Sequence, residues 1–192
     1  MELTDRQTLP VPQDAAWAAL NDTELLARCI PGCESITPHA DGGYDVAITA
    51  AVGPVKARFK GKLKLADVKP PSAYTLAFEA QGGAAGFGKG SAEVKLEPAG
   101  PNETVLHYAA KVSVGGKLAQ VGSRLVDMAA QKMARDFFER FGAELAARHP
   151  PPAGGADASA AASPDAGAPP AQGGGWMARL TAWLRGLFGR PA

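Results

Sequence analysis

Hydrophobic and polar positions alternate most strictly between Val55 and Leu65. The odd positions are Val55, Ala57, Phe59, Gly61, Leu63 and Leu65; the even ones are Lys56, Arg58, Lys60, Lys62 and Lys64. Successive side chains of a strand point to opposite faces, so this period of two predicts a long, half-buried strand with one apolar and one basic face. Tyr44 to Val52 alternates in the same way, and Gly53-Pro54 predicts a tight reversal between the two strands. Three further inner faces follow: Tyr74, Leu76, Phe78 and Ala80; then Ala92, Val94 and Leu96; then Leu106, Tyr108, Ala110, Val112 and Val114. Short turns join them, at Pro70-Pro71-Ser72 and at Pro98 to Asn102, which predicts an antiparallel meander. Glu2 to Leu9 and Ser35 to Pro38 read as additional short strands.

The period changes to that of a helix in two places. Near the N-terminus, Pro12-Gln13-Asp14 predicts a helix start carrying Trp17 and Leu20. Asn21-Asp22-Thr23 predicts the cap of a second short helix that ends at Pro31-Gly32. After Gly115-Gly116, Lys117 to Arg148 reads as one long helix, with an i+4 row of Leu125, Ala129, Met133, Phe137, Phe141 and Leu145. Such a row drifts round a 3.6-residue helix, so its buried stripe must wind, as on a twisted sheet. Ala129, Ala130 and Ala134 leave the middle of the helix thin, which permits either close helix–sheet approach or a cavity.

Beyond residue 148 the periodicity stops. Residues 149–175 are almost all Ala, Pro, Gly and Ser and read as a disordered linker, about 30 Å long as a flexible coil. Residues 176–190 read as a short amphipathic helix. Trp176, Leu180, Trp183, Leu184 and Leu187 share one face with Phe188 at its edge, while Arg179, Arg185 and Arg190 avoid its centre. Trp-bearing, basic and tethered, this segment suits a membrane interface; docking into a groove is the alternative. Residues 1–148 form the remaining domain.

Composition narrows the function classes. The net charge of +1 gives no general reason to bind nucleic acid, and no aromatics interleave with the bases of the Val55–Leu65 strand. The N-terminus lacks the apolar run of a signal peptide, and no segment has the roughly 18 apolar residues of a membrane span. Two cysteines without a secretion signal predict free thiols in a reducing compartment.

Candidate chemistry is sparse. Gly83 to Gly90 (GAAGFGKG) approaches a phosphate-binding loop but has Gly90 where Ser or Thr is needed, and a strand follows instead of a helix. A flexible hairpin loop, or a lip over a cavity with Phe87 at its mouth, fits better. Cys29 and Cys33 lack the further ligands of a zinc site. No catalytic triad or carboxylate pair stands out. On the basic strand, charges about 7 Å apart repel by about 0.6 kcal/mol in water. Asp45 and Glu79 fall where they would offset this, so the stripe is a solvated face or, at Lys56, Arg58 and Lys60, a docking face.

Two motifs in order resemble a known family: Leu25 to Glu34 (LLARCIPGCE) and Val52 to Lys62 (VGPVKARFKGK), followed by the Gly86-Phe87-Gly88 turn and the long helix. They are similar to the carbon monoxide dehydrogenase G-subunit family of the START-like, or SRPBCC, superfamily. The resemblance covers about residues 1–148. It implies an α+β helix-grip fold, a curved antiparallel sheet wrapped around a long C-terminal helix, with an apolar cavity between them. It also implies a non-catalytic accessory role, recruiting a molybdenum hydroxylase-type dehydrogenase to the inner face of the cytoplasmic membrane. No metal or covalent cofactor is expected. The expected ligand is a lipid quinone or similar hydrophobic small molecule, in a cavity lined from Val52, Phe59, Leu63, Phe78, Tyr108, Leu125, Met128 and Met133, with Phe87 at the lip. Two alternatives stay open: a structural adaptor without ligand, and a cyclase- or hydrolase-type enzyme using Cys29, Cys33, His107 or Tyr108.

Overall fold

The computed structural model describes residues 1–150. The linker, for all but its first two residues, and the tail residues Trp176, Arg179, Leu180, Trp183, Leu184, Arg185, Leu187 and Phe188 lie outside the described residues. The chain runs β1 (Glu2–Leu9), α1 (Gln13–Leu20), α2 (Thr23–Cys29), β2 (Cys33–Pro38), β3 (Gly43–Val52), β4 (Val55–Lys69), β5 (Ala73–Gln81), β6 (Phe87–Gly100), β7 (Glu103–Gly115), α3 (Lys117–Gln120) and α4 (Ser123–Arg148). The seven strands form one curved antiparallel sheet in the order β1-β7-β6-β5-β4-β3-β2. From β2 to β7 each strand pairs with the next in sequence, and β1 closes beside β7 at the far edge.

The alternation on β4 is realised in full. From Val55 to Leu65 every odd residue is half-buried and every even residue exposed. Val52 pairs with Val55 across a two-residue turn, and Gly53 takes the positive φ of +54° that a hairpin of this length demands. Pro31-Gly32 has an equally local reason. Gly32 has φ +72°, and its carbonyl accepts from the Thr49 N–H at 2.8 Å, so a β-carbon there would stand 2.1 Å from the Thr49 oxygen.

Two elements differ from expectation. The long helix is interrupted: α3 ends at Gln120, Gly122 turns with φ +94°, and α4 starts at Ser123. The second half of the glycine-rich stretch is strand. Only Gly83–Ala85 forms a 3-10 turn, and Phe87 to Gly90 already pair with both β5 and β7. Glycine weakens a strand without preventing it, and pairing on both sides offsets its entropy cost.

The core occupies one end of the sheet. Leu9, Val11, Leu25, Leu96, Leu106, Phe141 and Leu145 are buried together, with Phe137, Phe138 and Tyr108 packed against them. Along the i+4 row of α4 burial deepens from Leu125, 41% exposed, to fully buried Phe141 and Leu145. Two ion pairs join α2 and its cap to this end of α4: Arg28 to Glu144 at 3.3 Å, and Asp22 to Arg148 at 2.8 Å. No helix among the described residues is long and apolar enough to cross a membrane.

Candidate functional site

Because the core fills the β1, β7 and β6 end, the inner face of β3 to β5 needs another cover. The end of α1 and the length of α2 provide it, and they leave a gap. The gap is an apolar cavity of about 230 Å³. Its floor comes from Tyr44, Val46 and Ile48 on β3, Phe59, Leu63 and Leu65 on β4, and Tyr74, Leu76, Phe78 and Ala80 on β5. Its roof is Leu20, Leu26 and Ile30, with Ile36 of β2 at the side. Asn21 and Thr23, at the α1–α2 junction, add polar groups.

Glycines shape the floor. Gly61 faces inward from β4, where a β-carbon would stand 2.5 Å from the Glu79 carbonyl oxygen and 2.9 Å from the Ala80 side chain. Three phenylalanine rings lean over glycines on the adjoining chain. β-Carbons at Gly82, Gly90 and Gly115 would stand 2.3, 2.9 and 2.3 Å from the rings of Phe59, Phe78 and Phe87. Two of these pairs, Phe78 with Gly90 and Phe87 with Gly115, are directly opposed in register. Each ring covers backbone that lacks a side chain of its own, a packing device that lets the aromatic lie along the sheet.

Two of the cavity's titratable groups, Tyr44 and Tyr74, are phenols. Burial pushes the Tyr74 hydroxyl up to about 12, so it stays protonated across the physiological range. Its ring packs edge-on against Trp17, with centroids 5.7 Å apart. Among the described residues no group of His, Cys, Asp and Glu is arranged to hold a metal ion.

Of the residues expected to line a cavity, Phe59, Leu63 and Phe78 do so here. Val52, Phe87, Tyr108, Leu125, Met128 and Met133 lie outside this lining. Tyr108 stacks on Phe138 at 5.2 Å in the core, while Phe87, Leu125 and Met128 are exposed. Tyr44, Tyr74, Leu20, Leu26 and Ile30 join the lining without being expected there. The two tyrosines lie on inner faces legible from alternation; the helical residues depend on where α2 docks. The polar groups of the enzymatic alternative do not converge on the cavity. Cys29 is buried in the core with its thiol pushed up by burial, the Cys33 thiol faces the Ser35 carbonyl at 3.8 Å, and His107 faces out toward Glu97 at 3.5 Å.

On the outer face, Arg58 pairs with Glu34 at 2.6 Å, and Lys56 and Lys60 have no carboxylate within ion-pair distance among the described residues. Asp45, Lys62 and Glu79 do line up across β3, β4 and β5, although Asp45 pairs with His39 at 2.6 Å instead. Further along, the sheet forms a broad open groove of about 970 Å³ walled by Lys62, Lys64, Lys89 and Lys111 and by Glu2, Asp41 and Glu79.

The family model for CoxG, the carbon monoxide dehydrogenase G-subunit, matches residues 7–146. The chain belongs to the CoxG family. Solved structures agree on the fold. A conserved protein from Geobacillus kaustophilus is 28% identical, with a TM-score of 0.73, over 78% of this chain and 97% of that one. A START superfamily protein from Mycobacterium smegmatis is 11% identical, with a TM-score of 0.60, over 77% and 99%. The ZhuI aromatase/cyclase from Streptomyces is 14% identical, with a TM-score of 0.59, over 77% and 94%. At these last two identities the likeness concerns the fold alone. No curated protein matches the sequence. As a CoxG family member with a START-like fold, the chain falls in a class of accessory proteins associated with carbon monoxide dehydrogenase.

Proposed function

We propose that this CoxG family member is a non-catalytic accessory protein that holds a flat, apolar ligand under α2 and brings a molybdenum hydroxylase-type dehydrogenase to the cytoplasmic membrane. The observation that carries this reading is the cavity itself, apolar on nearly all sides. A cavity of about 150 Å³ takes up benzene, and drug-sized ligands need about 300 Å³ or more. At about 230 Å³ this one suits a one- or two-ring head group. A lipid quinone fits that description if its ring enters and its chain leaves by the mouth.

Attachment to the membrane is assigned to residues 176–190. The sequence there, rich in Trp and Leu with interspersed Arg, supports reversible binding to anionic lipid, each Arg contributing about 1 kcal/mol near the surface. On this reading the protein sits at the inner face of the cytoplasmic membrane, beside both a lipid-soluble ligand and its dehydrogenase. Uptake of 2,3-dimethyl-1,4-naphthoquinone by the full chain tests the cavity; its substituted ring edge resists addition of the two thiols. Stoichiometric uptake is expected, and a chain that ignores the compound would favour the adaptor without ligand.

A further inference from the structure

Tyr74 brings to the cavity floor a hydroxyl with unspent hydrogen-bonding capacity. The Tyr74 hydroxyl makes no hydrogen bond among the described residues, yet no side-chain polar atom there is both sealed off and unpartnered. Both statements hold if the hydroxyl opens onto space, and the space that Tyr74 lines is the cavity. Of the neighbouring polar groups, the Thr23 hydroxyl also makes no hydrogen bond among the described residues and sits on the roof side, at the start of α2. The Asn21 side-chain amide donates to the Trp17 carbonyl at 2.8 Å. Lys62 and Glu79 are exposed on the outer face and also wall the outer groove. Tyr44 borders both the cavity and that groove, so water reaches its side of the floor.

We propose that Tyr74 is the residue that sets ligand class: its hydroxyl donates a hydrogen bond to an acceptor oxygen on a flat, otherwise apolar ring. This rests on the reading of the cavity as a ligand site and adds which ring systems it accepts. A phenol kept protonated by burial is a donor at every physiological pH. With a plain hydrocarbon bound, that donor loses water and gains nothing, a cost that disfavours the hydrocarbon. With an aryl ketone or quinone bound, the cost becomes a bond in a low-dielectric site. The site therefore selects carbonyl-bearing rings over hydrocarbons of the same shape. Trp17, packed on Tyr74, reports occupancy.

The test uses the full chain with Trp176→Phe and Trp183→Phe, which leaves Trp17 as the sole tryptophan. Two probes of matched shape are compared, 2,3-dimethyl-1,4-naphthoquinone by quenching of Trp17 and 2,3-dimethylnaphthalene by displacement of the quinone. In Tyr74→Phe, which keeps the ring and its packing, quinone affinity is expected to fall about 5- to 100-fold. Hydrocarbon affinity should stay the same or rise. Equal loss for both probes would show that Tyr74 only packs, and no loss for either would remove the hydrogen bond; each overturns the inference while leaving the cavity a ligand site. Failure of the parent protein to bind either probe would overturn the ligand site and the inference together. Unchanged thermal unfolding of Tyr74→Phe confirms that the comparison is between folded proteins.

Discussion

The edge of the Phe59 ring lies where a side chain on Gly82 would begin: a β-carbon there would stand 2.3 Å from Cε1 and 2.7 Å from Cδ1. Gly82 itself has φ −113°, which any residue adopts, so the requirement for glycine comes from the ring and not from the backbone. Phe59 is also a wall of the cavity. Gly82→Ala is therefore expected to swing the ring inward. Overpacking of this kind costs about 1–3 kcal/mol, and the adjoining void keeps the cost near the lower end. The larger effect should be on ligand uptake. Thermal unfolding and naphthoquinone binding read the two separately; full affinity in this variant would show that the ring yields without entering the cavity.

Ala80 offers the converse experiment. It is a small side chain on the cavity floor, opposite Gly61. Ala80→Leu is expected to occupy the void, raise stability by about 0.5–2 kcal/mol as cavity-filling changes commonly do, and abolish ligand uptake. Urea unfolding and equilibrium dialysis check both halves. A destabilised variant would show that the floor is already close-packed at this point.

Asp22 holds the roof. Its carboxylate accepts from the backbone N–H groups of Glu24 and Leu25 at 3.1 and 3.0 Å, and from Arg148 Nη1 at 2.8 Å. The Leu25 bond first, then that from Arg148, holds its carboxyl below the ordinary carboxylate range. A carboxyl with a lowered folded value stabilises the protein above its unfolded value and loses that contribution as pH falls through the folded one. Asp22→Ala should cost about 1–2 kcal/mol at pH 7, mostly from the cap. Asp22→Asn keeps a capping oxygen, and its deficit relative to the natural chain should shrink as pH drops below about 4. Urea unfolding at pH 7 and at pH 3 measures this, and a deficit independent of pH would contradict it.

Under the proposed function, membrane attachment lies in the tail and not in the basic strand. Liposome flotation with anionic vesicles should be lost on removal of residues 176–192. The triple change Lys56→Glu, Arg58→Glu and Lys60→Glu should leave it within about twofold, since the added charges act only near the surface and within a Debye length. Loss of flotation in the triple variant with the tail intact would move attachment to the sheet.

How much of this is legible in the sequence depends on how local the cause is. The faces of β4 follow from alternation, and the Gly53-Pro54 reversal from turn chemistry, both decided by adjacent residues. The interruption at Gly122 has no such signal, because a single glycine is compatible with a helix until packing decides. Phe87 to Gly90 reads as loop because glycine lowers strand propensity, whereas the pairing partners on β5 and β7 are fixed by the sheet as a whole. The cavity is the hardest to foresee. Phe59, Leu63 and Phe78 follow from strand faces, but its roof depends on α2, and the docking of a seven-residue helix has no local signature. Met128 and Met133, expected in the lining of the cavity that the family resemblance implies, lie outside it, and the buried end of α4 packs on the core.

Native mass spectrometry of the full chain, purified without detergent from its own source, bears most directly on the cavity. The predicted spectrum shows one small ligand per chain, identified on extraction as a carbonyl-bearing ring compound and absent from Ala80→Leu. A bare chain that also takes up no added 2,3-dimethyl-1,4-naphthoquinone would contradict it.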